Sequence, residues 1–508
     1  MTLDPTRALP AGRSRLELWL RGAVRPASQA KSTLRVGLLV AVLVLAVCIR
    51  LWLAFGRLGG GLDSDEAVTG LIARRMLHQR EFPAFYWGQA YGGNLDALLL
   101  VPPMWLFGST TTVLKLYYLC SGAIVCILTW RVARQLIPAE QAIVAGVLSA
   151  VWPLAQTLKT TRVNAFYSTT TVIGLAAWLV VLHIDEQPRR KALWIASGAL
   201  VGLGWWVSPN IVYFALPLAL WLVVRGHWKR WLEILLALGA FILGSWVWIV
   251  ANLRSDFASL DVPDWSGSST WWSRLGFLFT DGLPFAFGLR RPWYGDWLLG
   301  RPLSSIAYVA LLAGIGFAFW RSQAGKRSDF LVLAMAPIVF ATFPANWILH
   351  DGRYLFFIAA VLPITLARLW TALVLRLALS LVVVACGLAF VANADRMEEP
   401  HRKSTGPMIE ALRVEGVSTA VADYWIAYKM TFEADERIIA SPLDTIRFQP
   451  YSATVRSTTD TTAFVFWRDQ PPSDYAWVND NLDALRISYR VVVAGDLVAI
   501  VPDEHWVP

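Results

Sequence analysis

Long apolar runs, with short basic clusters at alternate turns, fill most of the chain between residues 36 and 391. They lie at 36–55, 112–132, 142–158, 165–183, 193–207, 211–224, 231–251, 303–320, 330–343, 354–369 and 373–391. Several are shorter than the ~20 residues of a full crossing, so the pattern predicts a class, with about eleven transmembrane helices, more firmly than a number. After residue 392 the pattern changes. The stretches "STAVADYW", "RIIASP", "TAFVFW" and "RVVVAGDLVAIVP" are short β-branched runs bounded by turn residues, and "WIAYKMTFEAD" between the first two reads as a helix. Three parts follow: a basic arm over 1–35, a membrane body over 36–392 with long loops at 56–111 and 252–302, and a small α/β domain over 393–508.

Composition agrees with this division. The 508 residues are 56% hydrophobic and 16% charged, with a mean hydropathy of +0.49, too little polar surface for a soluble chain of this size. The fold class expected is a polytopic α-helical membrane protein with a C-terminal α/β domain. Arg7, Arg13, Arg15, Arg21, Arg25, Lys31 and Arg35 precede the first span, and basic clusters recur at alternate turns, as at Arg189-Arg190-Lys191 and Arg225, Lys229 and Arg230. Basic loops stay on the cytoplasmic side. The N-terminus is therefore expected inside, at a plasma membrane, with both long loops and the α/β domain outside. The net charge of +9 then reflects topology and membrane lipids as partners, with no separate basic patch that would suit nucleic acid. The first apolar run lacks a small-residue cleavage site and reads as an anchor. Cys48, Cys120, Cys126 and Cys386 fall inside predicted spans and read as buried small apolar residues.

The candidate chemistry sits in the first outer loop, "GLDSDEAVTGLIARRMLHQREFPAFYWGQAYGGNLDALL", which holds Asp63, Asp65, Glu66, Glu81 and Asp96. Asp63 and Glu66 are spaced as a cap for a helical pattern over 67–76, and a helix start alone would account for the acidic cluster. The rest of the loop asks for more. Trp87, Gln89, Tyr91 and Asn94 surround Gly92-Gly93, and Asp96 opens a second helix. Rings beside carboxylates and amides suit sugars, whose apolar faces stack while their hydroxyls meet Asp, Asn and Gln. An interfacial aromatic belt is the plainer alternative for the rings.

In these features the chain resembles the GT-C glycosyltransferases of the protein O-mannosyltransferase-like group, which includes bacterial aminoarabinose and lipopolysaccharide sugar transferases. The residues that carry the likeness are Asp65-Glu66 at the head of the first loop helix, Asp96, and Trp105-Leu106-Phe107-Gly108 closing the second. "HDGRYLFF" before a late span and "GLGWWVSPN" over 202–210 also match family turns. The resemblance implies a polyprenyl-phosphate-linked sugar as donor, a glycan, lipid or protein hydroxyl as acceptor, and inversion at the anomeric carbon. One place departs from the family: where many relatives have Asp between the third and fourth spans, this chain has Asn164 in "KTTRVNAFYS". An amide cannot share a carboxylate's proton or metal load, so no metal and no other cofactor is expected.

The residues support that chemistry. A departing phosphate is a stable anion and needs no general acid, unlike the alkoxide of an ordinary glycoside. One carboxylate base and cations for the phosphate then suffice. Asp65 is the candidate catalytic base, and Glu66 is expected beside it in the catalytic pair, orienting the helix or a backbone group. Asp96 is expected to bind a sugar hydroxyl or the acceptor. Arg353 beside Tyr354 is the candidate phosphate ligand, although snorkelling of an interfacial Arg is a competing explanation. Arg162, Lys159, Arg50, Arg290 and Arg291 are further cations expected at the same face. Trp271, Trp272, Trp293 and Trp297 of the second loop are candidates to stack on glycan or to anchor in headgroups. Two rival classes are a lipid-linked glycan flippase, which predicts an inverted repeat and mid-membrane charges, and a non-catalytic scaffold of envelope assembly. The tail shows no catalytic dyad and reads as a domain that contacts acceptor or partner.

Overall fold

A computed structural model describes residues 40–41, 43–56, 60–162, 165–261, 269–291, 295–343, 353–394, 402–469, 473–504 and 506. The chain divides into two compact units, residues 1–49 and 50–508. In the first, residues 43–49 are helical and Leu43, Val44, Leu45 and Val47 are exposed.

The elements run in order from α1 (Leu43–Phe55) to α2 (Ser64–Gln79), the hairpin β1 (Phe85–Tyr86) and β2 (Gln89–Gly93), and α3 (Leu95–Phe107). The helical body follows with α4 (Thr111–Leu136), α5 (Ala139–Val151), α6 (Leu154–Thr161), α7 (Tyr167–Glu186), α8 (Lys191–Val207) and α9 (Val212–Val224). It continues through α10 (Trp231–Gly244), α11 (Trp246–Arg254), α12 (Trp271–Phe277), α13 (Leu283–Ala286), α14 (Arg301–Arg321), α15 (Ser328–Thr342), α16 (Phe356–Ala367) and α17 (Leu373–Ala392). The tail comprises α18 (Gly406–Val414), β3 (Thr419–Ala422), α19 (Tyr424–Glu433), β4 (Ile439–Pro442), α20 (Gln449–Ser457), β5 (Thr462–Trp467), α21 (Ser473–Leu485), β6 (Tyr489–Ala494) and β7 (Leu497–Pro502).

Among the described residues, four helices are long and apolar enough to cross a membrane: α4, α7, α14 and α17. The bent pair α10–α11, turned by 55° between Gly244 and Trp246, makes a fifth if taken as one span. Most of the remaining runs form shorter apolar helices of 10–17 residues. The expected run at 142–158 is cut into α5 and α6 at Trp152-Pro153, because proline has no N–H for the helical ladder. Helices α8 and α10 pack closely through Gly198 and Gly202, where a Cβ would stand 1.9 Å from Ala237 O and 2.1 Å from Phe241 O. Only glycine lets two backbones meet there. The cysteines depart from expectation: Cys386 is buried, but Cys48 and Cys120 are exposed and Cys126 is intermediate. An apolar helix with an outward face places small apolar side chains on either side of it.

The tail is an α/β/α layer built on a five-stranded sheet of order β4-β3-β5-β7-β6. Strands β4, β3 and β5 pair in parallel, while β7 and β6 are antiparallel, so "RVVVAGDLVAIVP" is a hairpin of two strands. The two-residue alternation of strands sends Ala420, Ala463 and Val465 to a core with Met408 and Met430, and Val421, Phe464 and Phe466 to one with Val478 and Leu482. A third core crosses from loop to tail. Leu71 and Ile72 of α2, Tyr118 of α4, Phe166, and Tyr428 and Phe432 of α19 share one buried cluster. A fully buried side chain of this size contributes about 1.5–3 kcal/mol, so the first loop and the tail are held on the same side of the helical body.

Candidate active site

Asp63 fixes the head of α2. Its Oδ1 accepts from Glu66 N at 2.8 Å while Glu66 Oε2 accepts from Asp63 N at 2.9 Å, a reciprocal capping box. Arg402, just ahead of α18, donates to Asp63 Oδ2 at 2.9 Å and to Glu66 Oε2 at 2.7 Å. Glu66 is thus wholly buried and spent on the loop and its cation. Burial, reinforced by the neighbouring Glu66 charge and only partly offset by Arg402, pushes the Asp63 carboxyl up to about 7.

Asp65 lies one step around the helix with a side chain 38% exposed, against 18% for Asp63 and 1% for Glu66. It is the open member of the trio. Its Oδ1 accepts a short hydrogen bond from Tyr424 Oη and faces Arg447 Nη2 at 3.5 Å; Oδ2 takes neither contact. Its backbone carbonyl accepts from Tyr86 Oη at 2.7 Å, and Ser64 Oγ donates to Tyr424 O at 2.5 Å. Burial, together with the Asp65 charge, pushes the Tyr424 phenol well above its ordinary range, so it stays an O–H donor.

Gln89, with its amide oxygen turned to the guanidinium, accepts from Arg447 Nη1 at 2.5 Å and Nη2 at 2.9 Å. Trp87 stacks on Phe448 with ring centroids 3.9 Å apart. Gly88 takes φ +67° between them, with Arg447 Cα only 3.1 Å from where a Cβ would stand. The hairpin therefore docks on the 447–448 loop of the tail, and Trp87 faces protein. Tyr91 is half-buried on β2.

Asn94 and Asp96 hold the hairpin from the other side. Asn94 Nδ2 donates to Pro83 O at 3.0 Å and to Phe85 O. Asp96, 2% exposed, accepts from Phe166 N at 2.8 Å, from Tyr117 Oη at 3.3 Å and from Thr169 Oγ1. All three donors belong to the protein. The sugar-hydroxyl role expected for Asp96 meets a carboxylate already filled by α4 and the start of α7.

The predicted cations separate. Arg162 is buried at the C-terminal end of α6. Arg50 donates to Thr160 Oγ1 at 3.0 Å and to Ser149 O at 3.2 Å, beside a small cleft lined in part by Trp152, Thr157 and Phe356. Arg290 pairs with Asp281 at 2.9 Å, and Arg291 with Asp296; both are thus countered by carboxylates. Arg353 opens the turn Arg353–Leu355 ahead of α16, and Tyr354 packs 6.1 Å from the Tyr167 ring. The side chains of Arg353 and Lys159, and residues Asn164, Trp293 and His350, lie outside the described ones. Trp271 and Trp272 form an edge-to-face pair, with Trp272 exposed.

Three residues at this site, Arg402, Tyr424 and Arg447, have no sequence signal. They stand more than 330 positions from Asp63–Glu66, in a domain whose pattern speaks only of strands and helices. The run "STAVADYW", expected to be extended throughout, stops at Ala422, and Asp423 instead caps α19, its Oδ1 accepting from Trp425 N at 2.8 Å.

Residues 99–249 match the family model described as dolichyl-phosphate-mannose-protein mannosyltransferase. No curated protein matches the chain. Among solved structures, ArnT from Cupriavidus metallidurans in the apo state is similar over 90% of this chain and 97% of its own, at 12% identity and a TM-score of 0.60. The same enzyme bound to undecaprenyl phosphate is similar over 91% and 97%, at 16% identity and a TM-score of 0.51. Likeness of fold at such low identity is a statement about architecture. The chain thus shares the fold of ArnT over most of its length, and residues 99–249 carry the mannosyltransferase-family match.

Proposed function

We propose that the chain transfers a sugar from a polyprenyl-phosphate-linked donor to the hydroxyl of an acceptor at the outer face of the membrane, with inversion. The carrying observation is the exposure of Asp65 beside two fully committed carboxylates. The acceptor oxygen forms the new bond to the anomeric carbon and its proton passes to the Asp65 carboxylate. The bond from that carbon to the phosphate oxygen breaks, and its electron pair leaves with the prenyl phosphate. No general acid is needed, because phosphate is a stable leaving anion. The undecaprenyl phosphate held by the ArnT structure has the chemistry of such a leaving group.

Glu66 and Asp63 position the Asp65 helix turn, and Asn94 and Asp96 shape the hairpin over it. Arg353, in the turn ahead of α16, supplies the guanidinium for the phosphate, with Arg162 and Tyr354 as further donor-binding residues. The shared core of first loop and tail supports their lying on one face, and the basic residues ahead of the first span favour that face being the outer one, with a cytoplasmic N-terminus. The membrane-body and tail boundaries at 36–392 and 393–508 belong to the same reading.

The test is transfer by the full-length chain in membrane vesicles, against a panel of polyprenyl-phosphate sugars carrying labelled hexoses, pentoses and aminopentoses. The wild type is expected to turn over at least one donor. Asp65→Asn should lose about 10²–10⁴-fold in kcat, the usual worth of a general base. Full transfer by Asp65→Asn would refute the assignment.

A further inference from the structure

The tail of this chain does more than cover the loop. Asp65 takes two contacts on one carboxylate oxygen, from Tyr424 at the start of α19 and from Arg447 in the loop ahead of α20. Those two side chains are themselves joined, Arg447 Nε donating to Tyr424 Oη at 3.1 Å. Each is held from behind. Tyr428 Oη accepts from the backbone N–H of Arg447 at 2.6 Å and of Phe448 at 2.9 Å, fixing the turn that presents the guanidinium. Gln89 occupies its Nη face, and Ser64 Oγ anchors the backbone carbonyl of Tyr424.

With Nε, Nη1 and Nη2 all given to protein acceptors, Arg447 is arranged to orient a neighbour. A guanidinium awaiting a phosphate would keep its fork open. Among the described residues both contacts fall on Asp65 Oδ1, which sets the carboxylate plane and leaves Oδ2 outside the clamp. We propose that Tyr424 and Arg447 are positioning residues for Asp65, so that the catalytic centre is completed by the α/β domain and is split between two ends of the chain. This rests on the reading of Asp65 as the base. The other charged or titratable groups around Asp65 are Asp63 and Glu66 on its own turn, Tyr86 on the hairpin and Arg402 from the tail.

The experiment compares Arg447→Gln, Arg447→Lys, Tyr424→Phe and Asp65→Asn in the full-length chain, in vesicles supplied with the donor that the wild type turns over. Misorientation of a reacting group by about 1 Å costs on the order of 10²-fold. Arg447→Gln is expected to lose kcat to that extent with donor KM little changed, Arg447→Lys to recover part of it, and Tyr424→Phe, which keeps its ring, to lose less. A second readout needs no turnover. Carbodiimide labelling of Asp65 at one fixed pH, followed by peptide mass spectrometry, should accelerate several-fold once Oδ1 is released. Inactive Asp65→Asn beside wild-type kcat and labelling in Arg447→Gln and Tyr424→Phe would overturn this proposal and leave the base intact. So would a fall in rate that follows only a fall in thermal stability, with labelling unchanged. Active Asp65→Asn would instead remove the base assignment, whatever the labelling shows.

Discussion

Arg402 binds Glu66 at 2.7 Å across 336 residues of chain, and the same guanidinium binds Asp63 at 2.9 Å. Arg402 and Glu66 have side chains only 3% and 1% exposed. The contact ties the tail to the one turn of helix that carries Asp65.

Removing that cation should be costly. Arg402→Met leaves two carboxylates facing each other in a dry joint, and breaking a buried pair from one side costs about 3–5 kcal/mol. The full chain in detergent is expected to unfold several degrees lower. The triple variant Arg402→Met, Asp63→Asn, Glu66→Gln should recover part of the loss, since it removes the two carboxylates that Arg402 neutralises. A single variant with wild-type Tm would show that the ion pair contributes nothing.

Asp63 gives the joint a pH dependence. Its folded pKa of about 7 lies above the ordinary 3.8, so between those values the folded chain binds more protons than the unfolded one. Stability from this group is therefore fully present at the acidic end and declines as pH rises through about 7. Thermal unfolding should occur at falling temperature from about pH 5 to pH 7.5. Asp63→Asn, which keeps an acceptor for the Glu66 N–H, should flatten that slope. A wild-type slope of opposite sign would contradict the burial argument.

Asp96 separates a structural from a substrate role. If its work is to receive Phe166 N–H, Tyr117 and Thr169, Asp96→Ala leaves those donors unsatisfied at about 1–3 kcal/mol each. Tm should then fall before any change in donor KM appears, and Asp96→Asn should be milder because it keeps one acceptor oxygen. A raised KM at wild-type Tm would instead return Asp96 to the sugar.

Arg353 should act on the donor alone. A charge-assisted bond of about 1.5–3 kcal/mol corresponds to a donor KM raised roughly 10–100-fold in Arg353→Ala, with Arg353→Lys in between. Competition by undecaprenyl phosphate should weaken in parallel. Unchanged competition would remove Arg353 from the phosphate site.

The sequence carried the parts of this fold that are local. The α2 start was legible because Asp63 and Glu66 sit three apart, and a capping box is a contact within one turn. The tail strands were legible because a sheet covered on both faces is written as short apolar, β-branched runs that end at turn residues. Span lengths were less so, since breaks such as Trp152-Pro153 and Ser245 divide runs that hydropathy joins.

Chemistry at Asp65 followed the same divide. Residue types and their spacing determined that an acidic, aromatic loop would stand beside the first apolar run, and the family resemblance made one carboxylate in it a candidate base. Only the tertiary structure decided which carboxylate stays open, because Arg402 closes over Asp63 and Glu66 while Tyr424 and Arg447 meet Asp65 from the edge. Those partners arrive through the core shared by α2 and α19. Burial of apolar surface is non-directional and leaves no periodic mark on the segments it brings together.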